Sequence, residues 1–236
     1  MAAIVCWSAK GGSGTTVVAA ALALSSPAPA LLVDLAGDVP AVIGIAEPSG
    51  QGVADWLASG APPDALTDLA VAVDDTTAVI PRGAGPIDRD DVRWAELASW
   101  LAARPGCTVV DAGTGEPPPA LVETARSLLV TRACYVGLRR AVVMSTRPDG
   151  VVLVVEPGRA LRTADVQRAI GTPVVATVSV DPLVARAVDA GLLAARLPRA
   201  MGRELRDLIV DEGPAVSWPI VDRPRPRLLQ RSGVRG

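Results

Sequence analysis

The sequence predicts an α/β fold, a doubly wound, mostly parallel sheet flanked by helices, and three observations carry that expectation. Apolar runs of strand length recur at residues 4–7, 30–34, 77–81, 107–113, 127–131, 150–156 and 173–178, separated by segments of helical length. The run Gly150-Val151-Val152-Leu153-Val154-Val155-Glu156 is so continuously apolar that both faces of its strand must be covered. Phe is absent, and five Trp and one Tyr are the whole aromatic complement, so the core must be built from Ala, Val and Leu. Small-residue helices laid on buried parallel strands suit that composition. At 236 residues, half of them apolar, the chain can bury a large core. The expected organisation is a single domain over residues 1–221 and an Arg/Pro-rich, disordered tail over 222–236.

Taken in order, the first strand runs into Lys10-Gly11-Gly12-Ser13-Gly14-Thr15-Thr16, after which 17–24 is helical. Ser25-Ser26-Pro27-Ala28-Pro29 breaks that helix, and the strand at 30–34 ends on Asp34, which gives a βαβ unit. Residues 40–52 are loop-like, 53–58 form one or two helical turns, and 62–75 are mixed in character. The strand at 77–81 stops at Arg82-Gly83-Ala84-Gly85-Pro86. Residues 88–103 set Val92, Leu97, Trp100 and Leu101 at helical spacing with acids in the first turn, and Trp94 and Trp100 read as packing residues. The strand at 107–113 ends Asp111-Ala112-Gly113, a helix follows at 120–126, and a strand at 127–131 leads to a helix through Arg139, Arg140 and Met144. Helix 163–170, strand 173–178 and an amphipathic helix at 199–210 complete the pattern, with no internal repeat.

A strand that enters a glycine-rich turn and then a helix points several backbone N–H groups and a positive helix end at one spot, which favours phosphate. Of 23 basic residues Lys10 is the one lysine, placed inside that turn in a chain that otherwise uses arginine. A slim, flexible ammonium folds over a phosphate where a planar guanidinium is harder to fit. Two other readings stand beside this one. The glycines could serve a tight turn that binds nothing. Alternatively, Gly12-Ser13-Gly14, with Asp34 twenty residues beyond Gly14, could open a Rossmann-type NAD-binding unit of an oxidoreductase, although Val17 then replaces the third glycine.

The ordinary P-loop pattern fails at Ala9 and Thr15. Lys10 to Thr16 instead resembles the deviant P-loop of the MinD/ParA family of partitioning and positioning ATPases, K-G-G-x-G-K-[ST], and departs from it at Thr15 alone. Asp34-Leu35-Ala36 resembles the family's first switch, D-L-D, with the second acid missing; Asp38 could replace it, or be a solvated turn acid. Residues 107–113 resemble the Walker B strand and second switch, and Asp181 to Gly191 resembles the family's late P-x-D segment in outline. Among relatives, the TadZ/CpaE-like pilus-positioning proteins look most similar.

This resemblance implies a P-loop NTPase fold and ATP/ADP with Mg²⁺ as cofactors. It implies that Lys10, Gly11, Gly12, Ser13, Gly14, Thr15 and Thr16 bind the nucleotide, that Thr16, Asp34 and Asp111 hold the metal, and that Lys10 and Asp38 are the catalytic residues. It further implies a homodimer in which Lys10 reaches the partner's phosphates, and a protein partner in a pilus, secretion or division assembly. Because Thr15 and Ala36 alter both catalytic positions, the expectation is a localisation or assembly factor with slow or absent hydrolysis; a fully active ATP-switched partitioning ATPase is the alternative. Relatives often place Asn at the end of the strand at 150–156 to read adenine, where this chain has Glu156.

Composition narrows the field. With no His, histidine-based catalysis and His-ligated zinc are excluded. Cys6, Cys107 and Cys134 form no CxxC and read as buried reduced thiols of a cytoplasmic protein. The chain has 23 basic and 25 acidic residues, and the tail takes five Arg and one Asp, leaving a body with a surplus of acids that is ill suited to DNA. No apolar run is long enough for a signal peptide or a membrane span. The tail has too few apolar residues for a membrane helix; a weak contact with anionic lipid or an acidic partner is its alternative to plain solvation.

Overall fold

A computed structural model describes residues 3–46 and 50–209. Its strands are β1 (Ile4–Ser8), β2 (Ala30–Asp34), β3 (Val71–Ala72), β4 (Thr77–Ile80), β5 (Cys107–Thr114), β6 (Arg126–Arg132), β7 (Gly150–Val155) and β8 (Val174–Ser179). They form one sheet in the order β3-β4-β2-β5-β1-β6-β7-β8. Every pairing is parallel except β3 with β4. All the parallel strands therefore end at the same edge, and a doubly wound sheet places its ligand crevice outside that carboxyl edge. The insertion of β5 between β1 and β2 rules out the Rossmann order, in which β1 and β2 are neighbours. Asp34 accordingly does not stand where a ribose-binding acid would.

The helices are α1 (Thr15–Leu24), α2 (Val39–Ile43), α3 (Val53–Leu57), α4 (Trp94–Ala103), α5 (Pro119–Thr124), α6 (Tyr135–Val142), α7 (Thr163–Ile170), α8 (Pro182–Asp189), α9 (Leu193–Arg196) and α10 (Arg199–Leu205). Because successive strand residues face opposite ways, β1 sends Val5 and Trp7 into one core and Ile4 and Cys6 into the other. The first core packs Trp56, Trp94, Leu97, Leu101 and Leu121 against the sheet; the second packs α1, Met201 and Leu205. Helix α1 is buried along most of its length, from Val18 to Ala23, which is why its sequence is apolar all round.

Several boundaries differ from expectation for local reasons. Helix α4 begins at Trp94, because Asp88 and Asp91 accept the backbone N–H groups of Asp90 and Arg93 and hold the preceding stretch in turns. The short antiparallel β3 lies in a segment whose mixed composition hid it. Residues 199–210 were expected as one helix; α10 stops at Leu205 and a 3-10 turn covers Arg206–Leu208. Val210 and the tail 222–236 lie outside the described residues. No helix among the described residues is long and apolar enough to cross a membrane.

Candidate functional site

The centre of the sheet positions the glycine loop. Strand β1 is flanked by β5 and β6, and Cys6 lies in register with Asp111. Past Ser8 the chain turns sharply, with Gly12 at φ 74° and Gly14 at φ 92°, left-handed values that side chains rarely adopt. The Ser13 hydroxyl donates to the Lys10 carbonyl at 2.7 Å and closes the turn. Gly14 is the N-cap of α1 and offers no side chain to its first amides, so the helix opens with uncapped N–H groups facing a cleft of about 490 Å³. Residues from Gly12 to Val17 form one wall, Leu35, Ala36 and Asp38 a second, and Ala112, Gly113 and Thr114 the third.

Asp111 is fully buried on β5, immediately before the residues that form the third wall. Its Oδ1 accepts the Gly113 N–H at 3.0 Å, while its Oδ2 is buried with no hydrogen-bond partner among the described residues. Burial pushes the carboxyl up to about 6; the Thr16 hydroxyl and Gly113 N–H pull it down, and the Asp34 and Asp38 carboxylates add to the rise. In the first turn of α1 the Thr15 hydroxyl is also buried and without a partner among the described residues. The Asp111 carboxyl is thus met by the Gly113 N–H and, less closely than a full hydrogen bond, by the Thr16 hydroxyl. Thr15 Oγ1 has no partner among the described residues, and such under-satisfied buried oxygens are costly unless a ligand completes them.

The predicted residues are not all used alike. Lys10 does not line the cleft; its ammonium donates to the adjacent Gly11 carbonyl at 3.1 Å and is exposed. Asp34 is fully buried, and both of its oxygens are engaged: Oδ1 accepts from Ala36 N (2.9 Å) and Gly37 N (2.7 Å), Oδ2 from Val39 N (3.2 Å). These three bonds make Asp34 an anchor for the loop into α2. Burial raises its carboxyl, against the lowering by those same amides. Asp38 is exposed and lines the cleft, whereas Ala36 packs toward Gly113: a Cβ placed at Gly113 would come 3.0 Å from the Ala36 Cβ.

Sequence reasoning missed two groups. Ser8 donates to the Gly113 carbonyl at 3.2 Å and lies 3.3 Å from the Thr114 hydroxyl, tying β1 to β5 beyond Asp111. Their signal was a polar residue at the end of each of two apolar strands. The second is an apolar slot of about 260 Å³ that shares Gly14 and Val17 with the cleft and continues past Val154 and Val178 to α8, with Arg132 in its lining. Arg132 is ion-paired to Glu156, which also pairs with Arg159. The two guanidiniums, Arg159 foremost, hold the Glu156 carboxyl below its ordinary range.

The fold and the loop together define a class, the P-loop NTPase fold of the MinD/ParA type. The chain is similar to MinD of Aquifex aeolicus, with a TM-score of 0.72 and 19% identity over 92% of this chain and 100% of that one. It is likewise similar to MinD of Pyrococcus horikoshii OT3, solved with Mg-ADP (TM-score 0.71, 20% identity, 88% and 96% covered). A ParA family ATPase of Chlorobium tepidum TLS gives a TM-score of 0.70 at 19% identity, with 87% and 96% covered. At such identities the likeness is one of fold. No protein-family model matches the sequence, and no curated protein does.

Proposed function

We propose that the chain is a Mg²⁺-dependent nucleotide-binding protein that serves as a localisation or assembly factor and hydrolyses its nucleotide slowly or not at all. The observation that carries this reading is the pair of buried oxygens without a hydrogen-bond partner among the described residues, Asp111 Oδ2 and Thr15 Oγ1, with the Thr16 hydroxyl acting on the same Asp111 carboxyl, at the uncapped start of α1. The loop amides from Gly11 to Thr16 would receive the phosphates, Thr16 and Asp111 would hold the metal, and the adjoining apolar slot would take the base. Mg²⁺ ordinarily needs only one or two protein carboxylates when phosphate oxygens and waters supply the rest. Among the described residues no cluster of three acidic or cysteine ligands exists, which suits a metal that arrives with its nucleotide. The metal would supply charge neutralisation at the phosphates; the chain's own part is to bind and orient them.

Hydrolysis asks for more. Thr15 stands where the resembled motif has a cation, and Ala36 where it has a carboxylate. Each preorganised group of this kind is worth on the order of 10²- to 10³-fold in rate. Asp38 supports the second reading, a working ATPase, since it is an acid that lines the cleft two residues beyond Ala36. Lys10, whose ammonium lies outside its own cleft, would serve a facing copy, which makes a nucleotide-bridged homodimer part of the proposal. We extend the proposal to a partner in a pilus, secretion or division assembly, on the resemblance alone, and to one domain spanning 1–221. Nucleotide content of the purified chain, with its mass in solution before and after adding Mg²⁺ and nucleotide, tests the reading. Retained or added nucleotide with a Mg²⁺-dependent doubling of mass is expected; no nucleotide under any condition would refute it.

A further inference from the structure

Another cavity lies at the opposite end of α1 from the glycine loop, about 15 Å along a helix of 10 residues. Its volume is about 590 Å³, and it opens between Ser25, the C-cap of α1, and the side of α10 that carries Arg199, Gly202 and Arg203, with Arg206 one turn on. Positions 199, 203 and 206 recur at helical spacing, so the three guanidiniums share one side within about 10 Å along the axis. All three residues are exposed, and among the described residues none of these side chains has an ion pair or a hydrogen bond. Glu204 on the same helix is turned away, accepting the N–H and hydroxyl of Ser179. Positive charge is thus gathered without a counterpart, in a body where acids outnumber bases.

Two further features point to a ligand rather than to a solvated charged face. Ser25 lines the cavity, yet its Oγ is buried with no hydrogen-bond partner among the described residues, a state that is costly until something pairs with it. Gly202 stands in the middle of α10, where glycine is disfavoured; a Cβ there would come 2.9 Å from Ser25 Oγ, so the glycine leaves that side of the hydroxyl open. The carboxyl end of α1 contributes about half a negative charge, which three guanidiniums outweigh. Arginine's planar fork suits phosphate oxygens, each of which accepts from several donors. The cavity is larger than the cleft of about 490 Å³, which fits linked phosphoryl groups better than a single one. None of the exposed large apolar side chains borders it, so it lacks the means to enter a lipid layer. We propose that this cavity is a second anion site, which takes a free oligophosphate with Arg199, Arg203 and Arg206 as its charge partners and Ser25 as its hydroxyl donor. The occupant sits at one end of the helix whose other end walls the cleft, the position of an effector. This inference does not depend on the nucleotide reading.

The test is a calorimetric titration of the full-length chain with inorganic tripolyphosphate in the presence of EDTA. It is repeated with the triple variant Arg199→Gln, Arg203→Gln, Arg206→Gln and with Ser25→Ala. Replacing exposed arginines costs little stability, so the triple variant should remain folded. It should bind one tripolyphosphate fewer per chain than the parent, through a loss of roughly tenfold or more in affinity at that site. Ser25→Ala should weaken the same site about fivefold or more. No binding by the parent, or equal binding by parent and triple variant, overturns the inference; an unchanged Ser25→Ala overturns the part given to Ser25. Citrate competing as well as tripolyphosphate overturns the assignment to phosphate. Arginine-dependent cosedimentation of the parent with phosphatidylglycerol vesicles, not reversed by tripolyphosphate, would make the site a membrane surface and overturns it too. ADP with Mg²⁺, titrated into the triple variant, reads the cleft alone, so failure there counts against the nucleotide reading and not against this site.

Discussion

Asp111→Asn should stabilise the ligand-free protein while abolishing its response to Mg²⁺. The carboxyl is raised from 3.8 to about 6, chiefly by burial, so the fold favours its protonated form. For a carboxyl raised in this way, the stabilisation is fully present below the unfolded value and is lost as pH rises through the folded one. Two units at 1.36 kcal/mol each amount to about 3 kcal/mol of penalty carried above pH 7. Asparagine keeps an acceptor for the Gly113 N–H and removes the charge. The variant should therefore exceed the unaltered chain by about 2–3 kcal/mol at pH 7.5, roughly half that at pH 5, and little at pH 4. Urea denaturation at those three pH values measures the gap. With Mg²⁺ and nucleotide added, the unaltered chain should gain stability, more at pH 7.5 than at pH 5, and the variant should gain much less. A variant less stable than its parent at pH 7.5, or a gap that ignores pH, would refute the argument that this carboxylate is held ready for a cation.

Three further outcomes are expected. Lys10→Ala should change stability by no more than about 0.5 kcal/mol, because its ammonium is exposed, yet should abolish nucleotide-dependent doubling of mass in light scattering. Gly44→Ala should destabilise by well over about 2 kcal/mol, since a Cβ there would lie 1.8 Å from the Gly191 carbonyl oxygen and Gly44 has φ 83°; thermal unfolding of the variant checks this. Thr15→Lys combined with Ala36→Asp should raise phosphate release above either single change, and a parent rate already matching active ATPases would point to Asp38 as a working part.

The glycine loop was legible because its conformational demands are written in residue type: Gly12 and Gly14 occupy left-handed positions that other residues resist. Asp111 was legible as the acid that follows the apolar run of its strand, which continues to Thr114, and the parallel sheet as a series of valine-rich runs separated by segments of helical length. Asp34 illustrates the limit. Its sequence setting is as suggestive as that of Asp111, but which lone pairs are free depends on where the next five residues turn, and they turn back onto its carboxylate. Likewise, the stretch before α4 has helical spacing, and the carboxylates of Asp88 and Asp91 draw its amides into turns instead. The slot holding Arg132 was invisible for a different reason: it is assembled from α1, β6, β7, β8 and α8, and no local pattern joins them.

A crystal structure of the full-length chain grown with Mg²⁺ and a non-hydrolysable nucleoside triphosphate tests the central claim most directly. The account predicts phosphates seated on the backbone amides between Gly11 and Thr16, with the metal on the Thr16 hydroxyl and within reach of Asp111 Oδ2, directly or through one water. Phosphates bound elsewhere, or an empty loop with Asp111 Oδ2 still unpartnered at saturating nucleotide, would contradict it.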